Sequence, residues 1–170
     1  MNATSTQVMS VEQYLHTVFE HDAEYVDGRI VERPMPTAPH SLMQVFLASV
    51  FLGLIRPLKL VVFTELRIRT GVNRFRIPDV CLLRGKPRDA IAAEPPYLCV
   101  EILSPDESAM ELRRKVAEYL ACGAEYVWVV DPVALDGEVH TASGIERVSD
   151  GLFRAGAIEI DVRLMPQQQD

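Results

Sequence analysis

The chain has 170 residues, 48% hydrophobic and 24% charged, a composition that excludes a largely disordered protein and suits a domain with a full hydrophobic core. Its three cysteines are odd in number and show no metal-ligand spacing, which excludes a disulfide framework and a zinc site. The formal net charge of −7 argues against a uniformly basic nucleic-acid-binding protein, yet the charge is unevenly spread. Residues 56–88 hold Arg56, Lys59, Arg67, Arg69, Arg74, Arg76, Arg84, Lys86 and Arg88 against only Glu65 and Asp79, a stretch that could face a polyanion.

The N-terminal "MNATSTQVMS" lacks the basic-then-apolar order of a signal peptide. A cytoplasmic protein with reduced core cysteines is therefore expected, and the Asn2-Ala3-Thr4 sequon has no use. Ser10 and Gln13 form a capping box that opens a helix with Val11, Tyr14, Leu15, Val18 and Phe19 turned inward. In "EYVDGRIVERP", Asp27-Gly28 between two β-prone runs marks a hairpin. Beyond Pro36 and Pro39 a mostly apolar helix runs from about His40 to Ile55 and stops at Arg56-Pro57. Its apolar stretch, broken by Gln44, Ser49 and Gly53, is too short for a membrane span.

"LKLVVFTELRIRT" reads as one strand, "GVN" as a turn, and "FRIPDVCLLR" as a strand in two parts around Pro78. A Pro- and Lys/Arg-rich connection (85–96) leads to the buried strand "YLCVEILSP". Ser108 and Glu111 predict a second capping box, for a helix through Ala121 that Gly123 terminates. "EYVWVVDP" is apolar throughout, as buried parallel strands are, with Tyr126 and Trp128 in the core. "GEVHTAS", "GIERVSDG" and "AIEIDVRL" follow as three short strands, and "PQQQD" as a frayed end. No repeat or second domain is evident. The expectation is one domain over 1–170 with its core at about 10–165, of α/β (α+β mixed) class: a central mixed sheet flanked by helices, preceded by an N-terminal helix and hairpin.

One residue stands out in the strand at 97–103. Burying an unpaired Glu101 carboxylate would cost several kcal/mol. Strand parity puts Tyr97, Cys99, Glu101 and Leu103 on one face. Asp79 follows Pro78, which cannot donate to a ladder and so marks a strand start or bulge. If the two strands are neighbours, Asp79 and Glu101 face each other across ~5 Å. Two such carboxylates repel unless a proton or cation lies between them. A divalent metal would satisfy both, and Mg²⁺ takes one or two carboxylates with waters and a phosphate. On the helix that follows, Lys115 lies roughly 60° from the apolar stripe of Leu112, Val116, Tyr119 and Leu120, close enough to reach back. Plainer readings stand beside these. Pro78-Asp79 could be a turn, Glu101 could pair with an arginine such as Arg67, and Lys115 could snorkel to solvent. Glu24 could be a solvated residue beside the hairpin, His40 a helix-terminal polar group, and the basic stretch could be paired with acids elsewhere.

Pro78-Asp79, Glu101 within an apolar strand and a nearby lysine together resemble the PD-(D/E)XK nuclease superfamily. More narrowly, the chain resembles the small bacterial family catalogued as "putative restriction endonucleases", a family of unknown function. The matching stretches, in the family's order, are "EYVDGRIVE" (24–32), "APH" (38–40), "IPDVCLL" (77–83), "VEILSP" (100–105), "RRKVAEYLACG" (113–123) and "EYVWVVDP" (125–132). The resemblance implies a restriction-endonuclease-like core in which Asp79, Glu101 and the Ile102 carbonyl bind Mg²⁺, or Mn²⁺ in its place. It implies that Glu24, expected near the end of the first helix, joins the acidic cluster. The superfamily's strand lysine would fall at Leu103; Lys115 would replace it. His40 would lie near the substrate, and Arg67, Arg69 and Arg76 of the basic stretch would contact phosphates. A metal, rather than a neighbouring side chain, would then balance Glu101. The function implied is Mg²⁺-dependent hydrolysis of DNA phosphodiester bonds, by a homodimer if both strands are cut. The alternative, supported by Leu103 and the acidic net charge, is a catalytically inactive nuclease fold that binds nucleic acid or regulates. A serine or thiol hydrolase has no G-x-S-x-G or Cys–His pairing to support it.

Overall fold

In the computed structural model, which describes residues 8–166, the capping box at Ser10 and Gln13 is formed in both directions and opens α1 (Val11–His16). The helix is shorter than its sequence pattern. It ends at Thr17, whose backbone is extended and whose hydroxyl donates to the Gln13 carbonyl. Leu15 and Val18 are exposed, and Tyr14 alone of the expected inner face is fully buried, stacked on Tyr25. Strands β1 (Ala23–Val26) and β2 (Arg29–Glu32) pair antiparallel as expected. The turn between them places Asp27 at φ 48° and Gly28 at φ 92°, the left-handed pair that matches the strand twist.

Helix α2 (Ala38–Leu58) is longer than predicted: Pro57 lies inside its last turn, and the chain leaves it through Lys59 at φ 53°. The stretch read as one strand is two, β3 (Val61–Thr64) and β4 (Ile68–Gly71), broken at Glu65 in the left-handed region at φ 53°. The strand read in two parts around Pro78 is likewise β5 (Arg74–Arg76) and β6 (Val80–Leu83). The two breaks coincide because the chain changes sheets at both, and the Glu65 N–H donates to the Asp79 carbonyl where they cross. Four strands form a small sheet in the order β2-β1-β5-β4.

The central sheet has six strands. With β7 (Leu98–Ile102), β8 (Tyr126–Asp131), β9 (Asp136–Thr141) and β10 (Gly144–Val148), its order is β10-β9-β8-β7-β6-β3. Strands β7 and β8 are parallel and the other pairs antiparallel, so the sheet is mixed as expected. Helix α3 (Ala109–Ala121) makes the parallel crossover, and Gly123 at φ 99° ends it. Its second capping box is not formed; Glu111 reaches Arg76 instead. The last segments number four rather than three, because β11 (Leu152–Ala155) precedes β12 (Ile158–Asp161) as a separate hairpin. Residues 167–170 of the expected frayed end, and the Asn2 sequon, lie outside the described residues.

Leu98, Val100 and Ile102 pack with Met43, Leu47 and Phe51 of α2 and with Trp128 in one cluster. Cys99 lies opposite Cys81 on β6, and their cluster receives Val116 and Tyr119 of α3. The alternation of β7 thus builds one core layer on each side of the sheet, and Glu101 has the parity of the α3 side. Among the described residues no helix is long and apolar enough to cross a membrane.

Candidate active site

The β6–β7 register pairs Val80 with Val100, and one more step sets Asp79 opposite Glu101. Both carboxylates are 2% exposed. Asp79 Oδ2 accepts the Ile102 N–H at 2.7 Å and lies 3.3 Å from Nε2 of His40, in the first turn of α2. Its Oδ1 is ion-paired with Nη2 of Arg33, just beyond β2. Burial alone would raise this carboxyl, but the His40 bond, the Arg33 charge and the Ile102 N–H outweigh it and hold it below its ordinary value.

Glu101 is met from α3. Its Oε1 accepts the Tyr119 hydroxyl at 2.6 Å and its Oε2 the Lys115 ammonium at 3.2 Å. Burial pushes its carboxyl up to about 7, against the Lys115 charge and with the help of Asp79 and Glu24. Lys115 Nζ also lies 3.1 Å from Glu107 Oε1 and 3.7 Å from Glu24 Oε1. Burial would lower its pKa, but these three carboxylates overcome that and raise it, so at neutral pH Lys115 is an ammonium. Neighbouring side chains thus already meet Glu101, where a metal in place of a side chain was expected, but they do not fully offset its burial. The arginine alternative fails too, since Arg67 lies over the Tyr14 ring, 4.9 Å from its centroid.

Glu24 sits on β1, not at the end of α1. It is fully buried, accepting from the Ile77 N–H at 3.0 Å and from Arg76 at 2.8 Å. Arg76 corrects a second expectation. It is fully buried and divided among Glu24, Glu111 and Glu118 at 2.7–2.8 Å, so it fastens β5 to β1 and α3 and offers nothing to a phosphate. Arg69 lies over the Phe75 ring and donates to the Gly71 and Val72 carbonyls; neither it nor Arg67 lines the cleft. Arg74, Arg84 and Arg88 pair with Asp27, Glu125 and Glu94, so the plainer reading of the basic stretch holds for them. Leu103 packs in the α3-side cluster, leaving the superfamily's lysine position apolar.

The structure brings Asp79, Glu101, Ile102, Lys115 and His40 together around a cleft of about 40 Å³, room for a few waters at about 10–15 Å³ each. A wider cleft of about 150 Å³ adjoins it and shares Arg33, Pro34, Glu107 and Lys115. Sequence reasoning missed Arg33, Glu65, Glu107 and Tyr119. Tyr119 was findable, four residues after Lys115 on one helix face. Arg33 was not, being 46 residues from Asp79 with no local pattern to link them. Among the described residues no three His, Cys, Asp or Glu side chains are grouped as metal ligands. The oxygen donors of Asp79, Glu101 and the Ile102 main chain fit a hard cation that completes its shell with water and phosphate.

A family model described as "Uma2: Putative restriction endonuclease" matches residues 11–155. Among solved structures, the chain is similar to a "putative nuclease" from Anabaena variabilis ATCC 29413, with a TM-score of 0.81 and 24% identity. That match covers 91% of this chain and 96% of the other, and it shows a shared fold. No curated protein matches.

Proposed function

The chain belongs to the Uma2 family of putative restriction endonucleases, and from that premise we propose that it is a Mg²⁺-dependent endonuclease hydrolysing DNA phosphodiester bonds. One observation carries the reading: two almost fully buried carboxylates, Asp79 and Glu101, stand opposite each other at a cleft with a lysine ammonium on one of them. Asp79, Glu101 and the Ile102 carbonyl would hold the ion, with Mn²⁺ as a substitute. When bound, the ion supplies Lewis-acid polarisation of the phosphate and a water of lowered pKa. Lys115, held as an ammonium by Glu101, Glu107 and Glu24, would orient or activate the water and offset negative charge developing on the phosphate. Glu24 positions Lys115 and Arg76. His40 keeps Nε2 on Asp79, while its buried Nδ1 has no partner among the described residues. The cleft is too small for a nucleotide, so the backbone phosphate enters at its rim. Arg67 and Arg69 would meet DNA only beyond the cleft. On this reading residues 1–170 form one cytoplasmic domain that would cut both strands as a symmetric homodimer.

Supercoiled plasmid incubated with Mg²⁺ or Mn²⁺ tests this. Nicking and linearisation by the wild type, abolished by a chelator and by Asp79→Ala, is the expected result. A second reading, a nuclease fold that binds nucleic acid without cutting it, is favoured by the ion pair already made between Arg33 and Asp79. DNA binding with no cleavage in either metal would select it.

A further inference from the structure

Arg33 sits in the cleft although nothing in the proposed chemistry calls for it there. It follows β2 directly, precedes Pro34, and its side chain is 14% exposed. Nη2 is ion-paired with Asp79 Oδ1, and Nη1 lies 3.6 Å from Glu65 Oε1 and 3.9 Å from Asp22 Oδ2. The other Asp79 oxygen is already committed to the Ile102 N–H and to His40. Oδ1 is thus the oxygen a divalent ion would take, and a guanidinium, which never loses its charge, is on it. Two cations on one carboxylate oxygen at contact distance repel strongly in so buried a place.

We propose that Arg33 is a built-in competitor for the divalent ion, a cation that holds Asp79 until the ion displaces it. The inference rests on the metal-site reading given above. The two cationic partners differ in what surrounds them. Lys115 is gripped by Glu101, Glu107 and Glu24 and has no reason to leave. Arg33 lines both clefts, and the wider one is bordered by Glu32, Asp106, Glu107 and Glu111. A guanidinium turned out of the narrow cleft therefore finds acidic groups and solvent in the wide one. Pro34 and Pro36 restrain the main chain beside it, so the exchange falls to the side chain. The site is consequently closed in the resting protein by charge rather than by a lid. A phosphodiester arriving with the ion offers the displaced guanidinium a new anion, so ion and substrate help each other in.

Calorimetric titration of Mn²⁺ into metal-free wild type, Arg33→Gln, Arg33→Lys and Glu101→Ala tests this without any assay of cleavage. Arg33→Gln should bind the ion at least about tenfold more tightly than wild type, Arg33→Lys should stay near wild type, and Glu101→Ala should abolish binding. Equal or weaker binding by Arg33→Gln, with wild-type binding still lost in Glu101→Ala, would overturn the competitor and leave the metal site standing. Absence of binding in wild type and Arg33→Gln alike, with DNA present, would overturn the metal site itself. Should Arg33→Gln not fold, the wild type decides: its Arg33 guanidinium NMR signals should move as Mg²⁺ saturates the site. Signals unchanged at saturation refute displacement.

Discussion

Replacing Glu101 with Gln removes a charge without removing volume, and its consequence for stability can be worked out with its sign. The folded carboxyl titrates at about 7 because burial disfavours its anion; its ordinary value is 4.5. A carboxyl whose folded pKa is raised contributes stability that is complete below the unfolded pKa and is lost as pH rises through the folded one. At about 1.4 kcal/mol for each pH unit of displacement, this amounts to about 3 kcal/mol lost between pH 4.5 and 7. Asp79 has the opposite sign, but its carboxyl lies below 3.8, so its contribution is lost only in more acid solution. Lys115, raised above 10.5, contributes a constant amount through this window. Urea unfolding of metal-free wild type and Glu101→Gln at pH 5, 6, 7 and 8 supplies the assay. The wild type should lose up to about 3 kcal/mol relative to the variant across this range, since groups common to both cancel in the difference. Parallel pH profiles for the two proteins would refute the reasoning, and with it the upward displacement of the Glu101 carboxyl by burial.

Three further outcomes follow from single contacts. Arg76→Met should cost about 3–5 kcal/mol in chemical denaturation, because it leaves Glu24 fully buried without its guanidinium; a loss under about 1 kcal/mol would make the three ion pairs decorative. Tyr119→Phe removes the 2.6 Å donor to Glu101 and should cost about 1.5–3 kcal/mol. Because that bond favours the anion, its loss should also move the Glu101 titration, followed by carboxyl NMR, to higher pH; a downward move would contradict the geometry. Gly28→Ala should cost about 1–2 kcal/mol in thermal unfolding from backbone strain at φ 92° alone, since its methyl would meet Val8 only at an ordinary 3.6 Å. No loss would mean that the hairpin has an alternative turn.

Short-range periodicity alone makes part of this protein legible. Two-residue alternation puts Glu101 on the Cys99 face, Pro78 marks the start of the strand that Asp79 precedes, and the helical repeat swings Lys115 toward Glu101. Asp27-Gly28 announces its hairpin for the same local reason, the backbone preference of two adjacent residues. Local signals fail where a distant partner decides. The strand read through Glu65 breaks because β3 and β4 are claimed by different sheets. The Glu111 capping box is not formed, and Glu111 goes to Arg76 from β5. The same competition turns Arg76 from an expected phosphate contact into a buried tie, and Glu101 from a charge awaiting a metal into one already held by Lys115 and Tyr119. Arg33 is the extreme case. Nothing within its own turn of chain points to Asp79, and only the tertiary fold brings the segment after β2 to the residue before β6. What the sequence determined by itself are arrangements set within a few residues by backbone geometry. Which charge meets which was decided by the tertiary structure, because a buried ion pair depends on where whole strands come to lie.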